Sequence, residues 1–146
     1  TAYVAAEGLP GVPVRETELL RDLTPMPEIG LEAAYSEAEL AWLSEVPRDE
    51  RDPGGAEIDS AIKYFGGLGD GQHLLITHSF VIGWFVRSAL EAPARSWMNL
   101  GLFNAGLTTI RYRPEHPDQP VSLIGYNDIG HLPLEVRGRT PIDLPC

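Results

Sequence analysis

The sequence predicts an α/β fold, with helices on both faces of a mostly parallel mixed sheet in a three-layer α/β/α arrangement. Three observations carry that prediction. The apolar run His73-Leu74-Leu75-Ile76-Thr77 leads through a tight polar turn into an apolar helix from Phe80 to Leu90, which is a strand, turn and helix in close succession. Two β-rich runs, Leu107 to Tyr112 and Val121 to Tyr126, flank a loop rich in proline and aspartate and read as a hairpin at one edge of the sheet. Helical spacing of apolar residues recurs between such runs, so strands and helices alternate along the chain.

Taken in order, Thr1 to Gly8 reads as the last turns of a helix ended by glycine. The residues from Val12 to Leu20 alternate apolar and polar side chains as a short strand does, ending near Arg21-Asp22. Thr24 to Glu28 carries two prolines and reads as a loop, the sort of segment on which functional side chains collect. Ser36-Glu37-Ala38-Glu39 has the form of a capping box opening a helix with Leu40, Trp42 and Leu43 that stops before Pro47. The mixed charges of Arg48 to Gly55 read as a solvated loop. A second amphipathic helix runs from Glu57 to Leu68, stopped by Gly66-Gly67 and Gly69-Asp70-Gly71, and the tail from Pro133 is irregular.

Composition narrows the function. The chain of 146 residues is 43% hydrophobic, enough for one domain spanning residues 1–146 with a real core. A formal net charge of -10 argues against nucleic acid or an anionic membrane surface as partner, so no nucleic acid and no membrane is expected. No apolar run reaches the length of a membrane span. Cys146 is the sole cysteine, which excludes a disulfide within the chain and suits a reducing, cytoplasmic address. Self-association is left open.

The most informative spot is Ile76-Thr77-His78-Ser79-Phe80, which sets a histidine at the end of an expected strand and the start of a helix. That is the ligand edge of an α/β sheet. Free N–H groups and the helix dipole favour an anion there, and a protonated His78 would add charge-assisted hydrogen bonds, so phosphate is the natural guest. The competing reading is a core histidine satisfied by a backbone carbonyl. The histidines show no spacing with Cys, Asp or Glu that would build a zinc site, and neither metal nor cofactor is expected.

These residues resemble the histidine phosphatase, or phosphoglycerate-mutase-like, superfamily. Leu74-Leu75-Ile76-Thr77-His78-Ser79 is similar to the strand that brings in the family's second catalytic histidine, and Asn104-Ala105-Gly106-Leu107-Thr108 to the strand after it. Asn127-Asp128-Ile129-Gly130-His131-Leu132 matches an Asn-Asp-x-x-His-Leu signature, and Leu19-Leu20-Arg21-Asp22 the strand end that supplies the acid. The resemblance implies a phosphoglycerate-mutase-like fold and hydrolysis of phosphate monoesters through a phosphohistidine. It assigns phosphoryl binding to His78, with help from the Ser79 N–H, and proton donation to Asp22. Asp22 could otherwise be an exposed carboxylate paired with Arg21. The substrate would be a phosphorylated small molecule or a phosphoprotein.

No Arg-His-Gly occurs in the 146 residues, so the resemblance implies that the family's first strand, its nucleophilic histidine and two arginines are missing. The chain then reads as the C-terminal part of such an enzyme, inactive alone. His73, which opens a strand, and His116, in a Pro114–Pro117 turn, are poor substitutes. Three other readings stand beside phosphatase: an inactive domain that binds phosphate, a phosphoglycerate-type mutase, and a serine acyl hydrolase using Ser79 with Asp128 and His131. The last lacks the elbow glycines, since Thr77 and Val81 flank the His78-Ser79 pair. Asn104 and the Asn127 to His131 run are explained by turn hydrogen bonding, and Trp42, Trp84 and Trp97 by core or lid packing.

Overall fold

The computed structural model describes residues 1–69, 71–116, 118 and 120–137. Asp70 of the glycine stop, Pro117 of the surface turn, and the end of the tail with Cys146 lie outside the described residues. Helix α1 (Ala2–Glu7) ends at Gly8 as expected, though none of its residues is buried. The strand expected over 12–20 does not form. Residues 12–17 are exposed and belong to no strand, and Glu18–Leu20 is a 3-10 turn whose opening residue, Thr17, accepts a hydrogen bond from the Leu19 N–H at 3.2 Å. A threonine that satisfies the backbone locally competes with ladder formation, and alternation without a partner strand has nothing to pair with.

Strand β1 (Thr24–Met26) lies where a loop was expected and runs parallel to β2 (Arg51–Pro53), with Pro25 opposite Asp52. Proline is tolerated because both strands of a two-stranded ladder are edges. Between them lies α2 (Glu37–Glu45), which supplies the helical crossover that parallel strands require. Its capping box forms as predicted: the Ser36 hydroxyl accepts from Glu39 N–H, and the Glu39 carboxylate accepts from Ser36 N–H at 2.7 Å. That carboxylate also takes two hydrogen bonds from Arg95, the shorter at 2.6 Å, which ties α2 to the 3-10 stretch Ala94–Asn99.

The Arg95 guanidinium holds the Glu39 carboxyl below the ordinary glutamate range, and the Ser36 groups act in the same direction. A depressed folded-state pKa adds stability that is present above the unfolded glutamate value and is lost as the pH falls through the folded value. Urea unfolding followed from neutral to acidic pH should therefore show a steeper loss in the native protein than in a Glu39→Gln variant. Parallel curves would exclude this contribution.

The segment read as a solvated charged loop conceals a buried acid. Asp52 is fully buried and accepts from the N–H of Glu57 at 3.0 Å and of Ile58 at 2.9 Å, capping α3 (Ala56–Gly66). Gly54 and Gly55 both take positive φ to turn the chain from β2 into that helix. A methyl on Gly55 would overlap the Trp84 indole. Trp84 lies on α4 (Ser79–Ala89), donates to Asp59 of α3 at 2.7 Å and carries Arg87 over its ring. The core gathers where α3 and α4 pack on β1 and β2, around Leu23, Leu43, Ile58, Val81, Trp84 and Trp97. Trp42 packs edge-on against Phe80 at its margin.

A hairpin of β3 (Leu107–Tyr112) and β4 (Val121–Asp128) forms as the sequence predicts, antiparallel and with register shifts near its open end, but as a two-stranded sheet of its own and not at the edge of the sheet that holds β1 and β2. The molecule is thus of the α/β class, with a small parallel pair, an antiparallel pair and packed helices. The run from His73 to Thr77 is a local exception to the expected pattern. Residues 72–78 lie in no strand, Leu74 is 53% exposed, and residues 72–77 make no backbone hydrogen bond to another described backbone group. An apolar run has the composition of a buried strand, but the ladder needs a neighbour, and no described strand pairs with it. Among the described residues no helix is long and apolar enough to cross a membrane.

Candidate functional site

His78 is the N-cap residue of α4, with an extended backbone, and its carbonyl accepts the first helical hydrogen bond from Ile82 at 3.0 Å. Among the described residues no side chain caps this helix, and its first turn carries no acid, so the N–H groups of Ser79 and Phe80 are left for a ligand, whereas Val81 is fully buried. The helix dipole adds a partial positive charge at the same place. Ser79 is the first helical residue, where its backbone N–H is one of those open donors.

Asp22 follows the 3-10 turn Glu18–Leu20 and precedes the buried Leu23 and Thr24 that lead into β1. It sits at a strand entrance, whereas the sequence reading placed it at a strand exit. The position still meets α4: the Asp22 Oδ2 lies 3.2 Å from His78 Nδ1. Both side chains are half exposed, 49% and 51%, so the pair opens to solvent rather than being sealed in the core. The alternative pairing of Asp22 with Arg21 does not occur. Arg21 turns away to α3, where its guanidinium grips both Glu57 oxygens at 2.9 and 3.1 Å and also donates to the Asp49 carbonyl.

With Nδ1 facing a carboxylate, the other ring nitrogen of His78, Nε2, is left for a ligand near the start of α4, and it donates to that ligand only when the ring carries both protons. Asp22 Oδ1 has no partner among the described residues. The arrangement can hold an anion and pass a proton to or from it. Next to Asp22 and His78 a further bond joins the same two segments, from the Thr77 hydroxyl to the Leu20 carbonyl at 2.9 Å. Neither Thr77 nor Arg21 was legible as a site residue, because a hydroxyl and a guanidinium bonding at long sequence range leave no local pattern.

The remaining sequence candidates fall elsewhere in role. Asn127, at φ 51°, accepts from Phe103 N–H through its side-chain oxygen, donates its side-chain amide to the Gly101 carbonyl and donates its backbone N–H to Thr108 Oγ1, which staples the loop before β3 to the end of β4. Asp128 closes a turn on Gly130 N–H at 2.7 Å. Among the described residues no hydrogen bond or ion pair links Ser79 with Asp128 or His131. His116 faces Glu115 at 3.8 Å in an exposed turn. A mostly apolar cavity of about 260 Å³ lies between Phe103–Ala105 and the stretch from Ile129 to Arg137, and His78, Asp22 and Ser79 do not line it.

The sequence motifs resemble the histidine phosphatase class, and comparison with known proteins finds relatives of that class. The relatives are PGAM5 phosphatases, members of the phosphoglycerate-mutase-like histidine phosphatase family, matched at modest identity. The chain is 39% identical over 64 residues to the "Serine/threonine-protein phosphatase Pgam5, mitochondrial" of Caenorhabditis elegans, covering 44% of this chain and 22% of that protein. It is 26% identical over 139 residues to the protein of that name from Caenorhabditis briggsae, covering 90% of this chain and 45% of the relative. Against the PGAM5 phosphatase of Mus musculus it is 28% identical over 142 residues, covering 91% of this chain and 44% of the relative. The chain thus spans less than half the length of these relatives. No family model matches the chain. The cytoplasmic address expected from the sequence is corrected by these findings, since the relatives are named mitochondrial. A lone cysteine reports at most on redox environment, which does not distinguish one reducing compartment from another.

Proposed function

We propose that this chain forms part of a phosphomonoesterase acting on phosphoserine and phosphothreonine proteins in mitochondria, with a phosphohistidine intermediate. The observation that carries the reading is the contact of Asp22 with His78 at the uncapped N-terminus of α4. The relatives' names support the substrate class and the address. In this reading His78 Nε2 and the Ser79 N–H hold the phosphoryl oxygens, where negative charge spreads in the transition state. The nucleophilic histidine is carried outside these 146 residues.

Attack by that nucleophile breaks the P–O bond and leaves a phosphohistidine and an alkoxide. Asp22 takes up the proton it shares with His78 Nδ1 and delivers it to the alkoxide oxygen, and the resulting carboxylate then takes a proton from the water whose oxygen bonds to phosphorus as the P–N bond breaks. The half-exposed placement of Asp22 gives the leaving group and that water access to it. A serine acyl hydrolase is disfavoured by the position of Ser79, whose neighbour His78 is turned to Asp22.

The test is turnover of a phosphothreonine peptide and of an aryl phosphate by the natural protein in its longest form, with His78→Ala and Asp22→Asn variants. His78→Ala should lower kcat/KM about a hundredfold or more on both substrates. Asp22→Asn should slow the peptide far more than the aryl phosphate, because a phenoxide departs without protonation. An unaffected His78→Ala variant would overturn the site, and phosphate binding without any turnover would favour a non-catalytic binding domain.

A further inference from the structure

We infer that Thr77 is a positioning residue that sets Asp22 against His78, an inference that rests on the proposed roles of those two side chains. The acid and the histidine are each about half exposed, and a contact between side chains so open to solvent contributes little to stability. So weak a contact cannot by itself fix two chain segments in register. Something else must hold them.

Arg21 anchors the acid's segment, but it does so toward α3 through Glu57 and Asp49, and this says nothing about where His78 lies. The link to the histidine's own segment is the hydrogen bond from Thr77 Oγ1 to the Leu20 carbonyl. Leu20 ends the 3-10 turn, where the terminal carbonyls have no partner within the turn, so the hydroxyl fills a vacancy that the backbone itself creates. Thr77 immediately precedes His78, and Leu20 stands two residues before Asp22. A shift of the Thr77 bond therefore moves both reacting side chains relative to each other.

The experiment is a kinetic double-mutant cycle in the natural protein, on the phosphothreonine peptide, with Thr77→Val, Thr77→Ser, Asp22→Asn and the Thr77→Val/Asp22→Asn pair. Valine keeps the volume and removes the donor, and serine keeps the donor. Thr77→Val should lower kcat about tenfold with KM changed less than about twofold, and Thr77→Ser should keep kcat within about threefold of the native value. With Asp22→Asn already in place, Thr77→Val should cost less than about twofold, because there is no acid left to misplace. An equal loss in both backgrounds, or no loss in either, overturns the inference. Should Thr77→Val fail to fold, Thr77→Ala enters the same cycle under the same criteria. If Asp22→Asn leaves peptide turnover unchanged, the acid assignment has failed and this inference fails with it, whereas additive losses with an impaired Asp22→Asn variant remove the inference alone.

Discussion

Gly55→Ala is expected to destabilise the fold by about 3 kcal/mol. Two independent costs combine. Gly55 holds φ at 73°, in the left-handed region, where a side chain costs about 1 to 2 kcal/mol. The added methyl would also overlap the Trp84 ring, and forcing such an overlap costs about 1 to 3 kcal/mol. Urea denaturation should show a lower midpoint with an unchanged slope. The two costs separate in a Trp84→Leu background, where the obstructing ring is gone and Gly55→Ala should cost only the backbone share, about 1 to 2 kcal/mol. Equal costs in both backgrounds would mean that the close approach of Trp84 to the turn plays no part.

Asp52→Ala should cost about 2 to 4 kcal/mol, which lowers the thermal midpoint by roughly 5 to 10 °C for a chain of this size. The carboxylate is fully buried and serves two helix-end N–H groups, so truncation leaves both donors without a partner and without water. Asp52→Asn keeps one acceptor oxygen and should fall between the native protein and the alanine variant. Calorimetry on the three proteins gives the order directly. A native-like Asp52→Ala melt would mean that solvent reaches the start of α3.

These two positions also mark where sequence reading works and where it stops. The capping box of α2 was legible because Ser36 and Glu39 act on each other within one turn. Helices α3 and α4 were legible from apolar spacing, and the β3–β4 hairpin from two β-rich runs around a turn. Asp52 was not legible. Its neighbours are charged residues, proline and glycine, all signs of a solvated loop, while its burial comes from a ladder with Thr24–Met26 and from α4 packing over the turn. The proline-bearing β1 was hidden for the same reason, since three residues of strand leave too short a pattern to read against two prolines.

The candidate site divides in the same way. The sequence nominates His78 from its place before an apolar helix, and Asp22 from motif resemblance. Their contact, the departure of Arg21 to Glu57 and the bond from Thr77 to Leu20 are products of tertiary packing. The alternation of residues 12–20 and the apolar run of 73–77 misled because periodicity reports which faces a chain could bury, and a ladder requires a partner as well.

The bond from Thr77 to Leu20 spans 57 residues of sequence, which bears on how the site comes into being. Closing a loop of that length costs about 3 to 4 kcal/mol in chain entropy before any constant term, more than one hydrogen bond and one exposed ion pair return. The acid and the histidine therefore cannot recruit each other during folding. The parallel pair, its crossover helix and the packing of α3 on α4 must close the loop first, and the site then appears as their result. Its occupancy consequently follows the stability of a core that contains neither of its two side chains.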